Sequence, residues 1–231
     1  MKRVLVFDFD GVLVDSNRLK RDAFFDLFSF DAKTAPIIKK ILNEAPINWT
    51  RFDILKEVFV SLGYAYSNQG RAGILGHVFD SVQKFVNEYE NRYRRAVRDQ
   101  ILAQGVVHGV RELLEECQRN GRRLYINSAT PCVALGELVD GLDIRKYFAV
   151  VYGKPRTKVL NLADIMRQEN AVAGDCAFIG DGKEDRASAE IFGVFFVGIA
   201  NEWNCWTNED RFPVVKNVFE AIARIEREEQ C

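Results

Sequence analysis

Five short apolar runs bounded by turn residues recur at 3–7, 123–127, 148–152, 176–180 and 194–198. Helical patterns fill most of the gaps between them, at about 108–120, 132–140, 157–169, 184–192 and 217–229. Strands that alternate with helices predict a parallel sheet with helices on both faces. Near-continuous apolar strands such as Phe148–Tyr152 and Cys176–Ile179 suit central positions covered on both sides. Between residues 17 and 100 the rhythm breaks, and the chain reads as helices only. Leu19, Ala23 and Leu27 with Phe24 and Phe28 form one stripe, and Ile54 and Val58 with Leu55, Phe59 and Leu62 a second. Val78, Val82 and Val86 with Phe85, Tyr89, Tyr93 and Val97 form a third. The expected fold class is α/β: a doubly wound core of residues 1–16 and 101–231, with an inserted all-α domain at 17–100. The stretch Gly63–Gly76 reads as a loop within the insertion, and its Gly70, Gly73, Gly76 spacing follows no strand.

Length permits this division, since 231 residues fit one large domain or two small ones. Hydrophobic residues make up 48% and aromatic ones 12%, enough for a sizeable core. A net charge of −1 argues against a general nucleic-acid binder. Cys117, Cys132, Cys176, Cys205 and Cys231 are odd in number, widely spread and without a CxxC pair, which argues against a disulfide framework and a structural zinc site. The apolar run after Lys2-Arg3 stops at Asp8, too short for a signal-peptide core, and no run approaches a membrane span. The expected compartment is a reducing cytoplasm, with no membrane partner. Asn48-Trp49-Thr50 matches a glycosylation sequon but reads better as a helix start, Thr50 capping with Asp53 three residues on. Oligomeric state leaves no readable signal.

The first apolar run ends in Asp8-Phe9-Asp10-Gly11. If the strand continues through Asp10, the two carboxylates share a face roughly 7 Å apart. At an effective dielectric of about 20 they repel by roughly 2.4 kcal/mol, a cost that a cation or a shared proton removes. Other strand ends repeat the polar theme: Asn127-Ser128-Ala129-Thr130, then Gly153-Lys154-Pro155-Arg156-Thr157-Lys158, then Gly180-Asp181 through Asp185. In open parallel sheets ligands bind beyond the carboxyl ends of the strands, where these groups meet. Carboxylates suit Mg²⁺ beside substrate phosphate, while a lysine and a hydroxyl suit the remaining phosphate oxygens. Phosphoryl transfer needs positioning and charge neutralisation, and a carboxylate can serve as its nucleophile.

These four segments, in this order, resemble the four motifs of the haloacid dehalogenase superfamily. The helical insertion lies where the cap of its β-phosphoglucomutase-like and phosphoglycolate-phosphatase-like subclass lies. The resemblance implies a Mg²⁺-dependent phosphatase acting on a small phosphorylated metabolite. It implies that Asp8 is the nucleophile, and that Asp10 protonates the leaving oxygen, then activates water and lends the metal its backbone carbonyl. Asp181 would ligate the metal with Asp185 in support, and Ser128 with a lysine would hold the phosphoryl group. Gly153-x-Pro155-x-x-Lys158 favours Lys158, while Lys154-Pro155 resembles another family pattern and keeps Lys154 open. Arg51 matches a cap arginine that contacts substrate in some relatives. The resemblance also implies a site between core and cap, with hinges near 15–17 and 98–104.

Asp10 separates reactions within the family, because haloacid dehalogenases and phosphonatases lack an aspartate there. In the mutases a histidine occurs five residues after the aspartate that Asp15 matches; here that position is Lys20, and the two histidines are His77 and His108. A sugar phosphomutase of the same architecture, and a non-catalytic phosphometabolite-binding protein, are the alternative readings. Simpler roles stand beside the catalytic ones: Ser128 capping the next helix, Asp185 as a helix N-terminal acid, Arg51 and Lys20 as helix-surface residues. Arg92, Arg94, Arg95 and Arg98 read as a solvated helix face, and Trp203 and Trp206 as packing residues of a loop.

Overall fold

Strand β1 (Val4–Phe7) is buried on both faces, and all four of its residues have no exposed surface. In the computed structural model, which describes residues 2–29, 31–46, 49–66, 73–74, 77–78, 81–207 and 210–230, the chain divides into two units. One comprises Met1–Asn17 and Ile101–Cys231, the other Arg18–Gln100.

The first unit is built on a six-stranded parallel sheet. Its later strands are β4 (Arg123–Pro131), β5 (Val150–Lys154), β6 (Cys176–Gly180), β7 (Phe195–Ile199) and β8 (Val214–Val215), in the order β5-β4-β1-β6-β7-β8. β1 pairs with β4 on one side, Val4 opposite Arg123, and with β6 on the other, Val4 opposite Cys176. The order therefore reverses at β1, and the crevice between β1 and β6 is the switch point where such sheets bind ligands. Helices α5 (Val110–Arg119), α6 (Cys132–Gly141), α7 (Lys158–Gln168), α8 (Lys183–Phe192) and α9 (Val218–Glu228) connect or flank the strands.

Alternation along the strands sorts the core into layers. Val4, Val6, Tyr125, Cys176, Phe178 and Phe196 pack with Leu162 and Ile165 of α7 and Ala189 of α8. α5 and α9 contact each other and the same central strands, and their buried Leu114, Cys117, Ala221 and Ile225 complete the core. The expected strands and helices are present within a few residues, and β8 adds a sixth strand too short for any periodicity. β4 also runs on to Pro131, past a register shift between Asn127 and Pro131. The sequence pattern stops the strand where that ladder becomes irregular.

The second unit holds α1 (Asn17–Phe28), α2 (Thr34–Glu44), α3 (Arg51–Tyr66) and most of α4 (Val82–Gln104), with two short antiparallel strands, β2 (Gly73–Ile74) and β3 (His77–Val78). The helical stripes meet in an aromatic core. Phe24 stacks on Tyr93 with centroids 4.1 Å apart, and Phe28 lies 4.8 Å from Tyr89. α3 starts as expected: Asp53 Oδ2 accepts from the Thr50 N–H at 2.9 Å, a reciprocal capping arrangement. Asn48 of the sequon lies outside the described residues. The expected loop at 63–76 is part helix, since α3 runs to Tyr66, and part short strand; residues 67–72 and 75–76 lie outside the described residues. The second expected hinge, 98–104, falls inside the continuous helix α4. Arg92 pairs with Glu88, and Arg98 with Asp99 at 2.8 Å, as a solvated face requires. Among the described residues no helix is long and apolar enough to cross a membrane.

Candidate active site

β1 ends one residue before Asp8, whose N–H continues the ladder to Ile179 O at 2.9 Å. The chain then turns: Phe9 O accepts from the Leu13 and Val14 N–H groups, and the Gly11 N–H donates to Val14 O. The strand does not extend to Asp10, so the two aspartates part company. Asp8 Oδ2 lies 2.8 Å from Lys158 Nζ. Asp10 is held by hydroxyls, Ser16 donating to Oδ1 at 2.5 Å and Thr130 to Oδ2 at 2.8 Å. The clustered carboxylates are Asp8, Asp181 and Asp185, each offering an oxygen within 4.8 Å of the others. The shared face that a strand through Asp10 would give the two aspartates does not form, and Asp8 instead clusters with Asp181 and Asp185 beyond β6.

Lys158 opens α7, directly after the N-cap Thr157, whose side chain accepts from the Leu160 N–H at 3.3 Å. Its ammonium is buried between Asp8 and Asp185 Oδ1, the latter at 2.5 Å. Burial opposes the charged ammonium, but attraction to Asp185 and Asp8 outweighs it and raises the pKa well above the ordinary lysine value. Lys154 is exposed at the end of β5. Asp185 has no exposed surface; its Oδ2 accepts from the Gly182 N–H at 3.0 Å, so it caps α8 while holding Lys158. One carboxylate thus both caps α8 and pairs with Lys158. Burial, then repulsion from Asp8, pushes its pKa well up.

Asp181 follows β6, and burial and Asp8 push its carboxyl up to about 6. Its Oδ2 accepts from Asn17 Nδ2 at 2.6 Å and Asn201 Nδ2 at 2.9 Å. Asn204 Nδ2 donates to the Asp181 carbonyl, also at 2.9 Å. Gly11, at φ +71°, passes so close that a Cβ there would lie 2.1 Å from Asp181 Oδ2. Ser128 is buried at the end of the regular part of β4, its Oγ accepting from the Thr130 N–H at 3.1 Å.

The structure thus brings together Asp8, Asp10, Ser128, Lys158, Asp181 and Asp185. Arg51 belongs to the other unit, where its guanidinium pairs with Glu90 at 3.3 Å and lies 5.3 Å from the Phe52 ring. Sequence reasoning assigned nothing to Ser16, Asn17, Thr130, Asn201 or Asn204. Asn201 had one available signal, its place just beyond the carboxyl end of β7. Trp206 packs against Phe196 and Phe212, as expected, while Trp203 is exposed.

Charge and donor type fit a divalent metal. Three clustered carboxylates against one ammonium leave a deficit of two positive charges. The donors are carboxylate oxygens, which suit a hard cation. Burial and repulsion from Asp8 raise the pKa values of both Asp181 and Asp185, a cost that such a cation would offset.

The chain is similar to known proteins in sequence and in fold. A family model described as haloacid dehalogenase-like hydrolase matches residues 2–193. A phosphoglycolate phosphatase of Colwellia psychrerythraea is 27% identical over 221 residues, covering 88% of this chain and 86% of that protein. Among solved structures, a Thermotoga maritima protein provisionally assigned as a β-phosphoglucomutase superposes with a TM-score of 0.72 at 18% identity, covering 96% of this chain and 99% of that one. A provisionally assigned haloacid dehalogenase-type hydrolase of Bacillus subtilis, solved bound to magnesium, gives 0.67 at 15% identity, covering 97% and 99%. The two structural likenesses speak to the fold, and the family match spans both sides of the acidic cluster: the chain belongs to the haloacid dehalogenase-like hydrolases.

Proposed function

We propose that this protein is a Mg²⁺-dependent phosphatase that hydrolyses a small phosphomonoester through an aspartyl-phosphate on Asp8. The observation that carries the reading is the placement of Lys158 between Asp8 and Asp185, with Asp181 in the same carboxylate cluster. Asp8 and Asp181, with the Asp10 carbonyl, are the groups to hold Mg²⁺, and Asp185 supports them. Bound there, the ion supplies charge neutralisation for the phosphoryl oxygens.

The chain's own groups do the rest. Asp8 attacks phosphorus in line with the departing alkoxide. Lys158 stays charged and offers a hydrogen to a phosphoryl oxygen. Ser128 accepts from Thr130 N–H through its Oγ, which leaves its own hydroxyl hydrogen for a second oxygen. Asp10 gives a proton to the leaving oxygen and later takes one from water. Ser16 and Thr130 meet it with hydroxyls, which can donate to the carboxylate or accept from the acid, so these two contacts suit Asp10 in both protonation states. Lys154 has no part in this scheme. Arg51 is the candidate substrate contact of the helical unit, read as a cap. The absence of a transmembrane helix among the described residues accords with a cytoplasmic metabolite phosphatase.

The test is release of inorganic phosphate from a panel of phosphomonoesters in the presence of Mg²⁺. Asp8→Asn is expected to abolish release while leaving the cooperative unfolding transition in place. Release by the variant at the wild-type rate overturns the mechanism. Conversion of a sugar phosphate into its positional isomer, without phosphate release, would instead identify a mutase, a reading that Lys20 in the histidine position disfavours.

A further inference from the structure

Two buried amides near the site have no place in the scheme above. Asn127 and Asn161 have no exposed surface. Asn127 is the residue before Ser128 on β4, and Asn161 lies three residues after Lys158 on the inward face of α7. Asn127 Nδ2 donates to the Lys158 carbonyl at 2.9 Å. Its Oδ1 accepts from Asn161 Nδ2 at 3.0 Å. Asn161 Oδ1 is buried without a hydrogen-bond partner among the described residues.

Stability alone gives a poor account of this pair. A carbonyl in the first turn of a helix already accepts an intrahelical bond from the residue four further on. The donation from Asn127 is an extra tether rather than the rescue of an orphan. The next inward residues of α7, Leu162 and Ile165, belong to the apolar core. Apolar side chains at 127 and 161 would bury no unsatisfied oxygen, and replacing both partners of a buried hydrogen bond by apolar groups of like shape can be near neutral. The tether does join two particular places: the backbone beside Ser128 and the backbone of Lys158. It fixes the start of α7 to the end of β4, where the regular ladder with β5 breaks off after Asn127.

We propose that Asn127 and Asn161 are positioning residues that hold Lys158 at a set distance from Ser128, so that both meet the same phosphoryl group. The inference rests on the phosphatase reading. Lysine has a long flexible stem, and the two carboxylates that hold its ammonium do not fix the backbone that carries it. The amide pair supplies that restraint from the opposite end of the residue. Neither asparagine touches the reacting atoms.

The whole protein with Mg²⁺ is the material, and inorganic phosphate and p-nitrophenyl phosphate are the probes. In the double variant Asn127→Leu/Asn161→Leu, the Kd for phosphate and the KM for the ester are expected to rise about tenfold or more. Mg²⁺ affinity, measured by calorimetry, is expected to stay within about twofold, because Asp8 is anchored by its ladder bond to Ile179 and Asp181 by Asn17 and Asn201. Wild-type Kd and KM in a folded double variant overturn the proposal. So does a proportionate loss of phosphate and Mg²⁺ affinity, which would mark general loosening. Should the double variant fail to fold, Asn161→Leu alone keeps the Asn127 tether and is expected to raise KM less but in the same direction; an unchanged KM overturns the proposal. Failure of the phosphatase reading appears separately, as wild-type protein that neither binds phosphate nor releases it from any ester.

Discussion

Asp181 Oδ2 accepts from Asn17 and Asn201 with Gly11 close beside it, which leaves the other carboxylate oxygen for the Mg²⁺ proposed above. Partners in the shell behind metal ligands typically govern affinity by about 10–100-fold. Asn201→Ala is therefore expected to weaken Mg²⁺ binding within that range, with phosphate release restored at high Mg²⁺; titration calorimetry and a metal-dependence curve would check it. Lys158 meets a harsher arithmetic. Lys158→Met leaves buried carboxylates without their cation, a change that in other proteins costs about 3–5 kcal/mol. Urea unfolding in metal-free buffer is the measurement, and an undiminished midpoint would contradict the pairing. At this scale the sequence revealed the ionic groups and hid the amides. Aspartates and a lysine at strand ends are unusual enough to be noticed. Asn17 reaches Asp181 across the whole length of the intervening chain, and asparagine in a loop or a helix start is too common to signal anything. Asn161 did leave a trace, as a polar residue within the inward stripe that leads to Leu162 and Ile165.

α7 carries Lys158 at one end and is followed at the other by Glu169. The Glu169 carboxylate accepts from Tyr125 of β4 and, at 3.1 Å, from Arg123 Nε. Burial raises its pKa, but the Tyr125 and Arg123 hydrogen bonds outweigh this and hold the carboxyl below its ordinary value. A depressed folded pKa gives stability that is fully present above the unfolded value, about 4.3, and lost as pH falls through the folded value. Glu169→Gln is accordingly expected to be less stable than wild type at pH 7, with the gap closing below about pH 4. Unfolding midpoints taken across that range would check the sign. The elements themselves were largely legible, because a period of two or of 3.6 survives any tertiary context. What escaped were pieces with no period to show: the two-residue β8, the short β2–β3 pair, and the last part of β4 beyond its register shift. The strand expected at 3–7 is present, but the condition that it continue through Asp10 is not met: the turn at 9–14 begins right after Asp8 and sends the Asp10 carboxylate to Ser16 and Thr130.

Across the molecule, the charge deficit of the acidic cluster links function to stability. A ligand that binds the folded state alone stabilises it by mass action, about 2.7 kcal/mol at a hundred times its Kd. Addition of Mg²⁺ is expected to raise the melting temperature, and Asp181→Asn to abolish most of that rise; an equal rise in both proteins would place the ion elsewhere. The sheet order carries a further consequence for how the chain is made. β1 emerges from the ribosome before either of its partners, since Val4 must wait for Arg123 and then for Cys176. Contacts this distant in sequence are slow to form, and an unpaired apolar strand invites wrong partners meanwhile. Until β6 is synthesised, Asp8 also lacks both carboxylate neighbours. On the phosphatase reading a nascent chain is therefore without its proposed catalytic centre for most of its synthesis, and both the acidic cluster and the second pairing of the central strand wait for β6 and the residues after it.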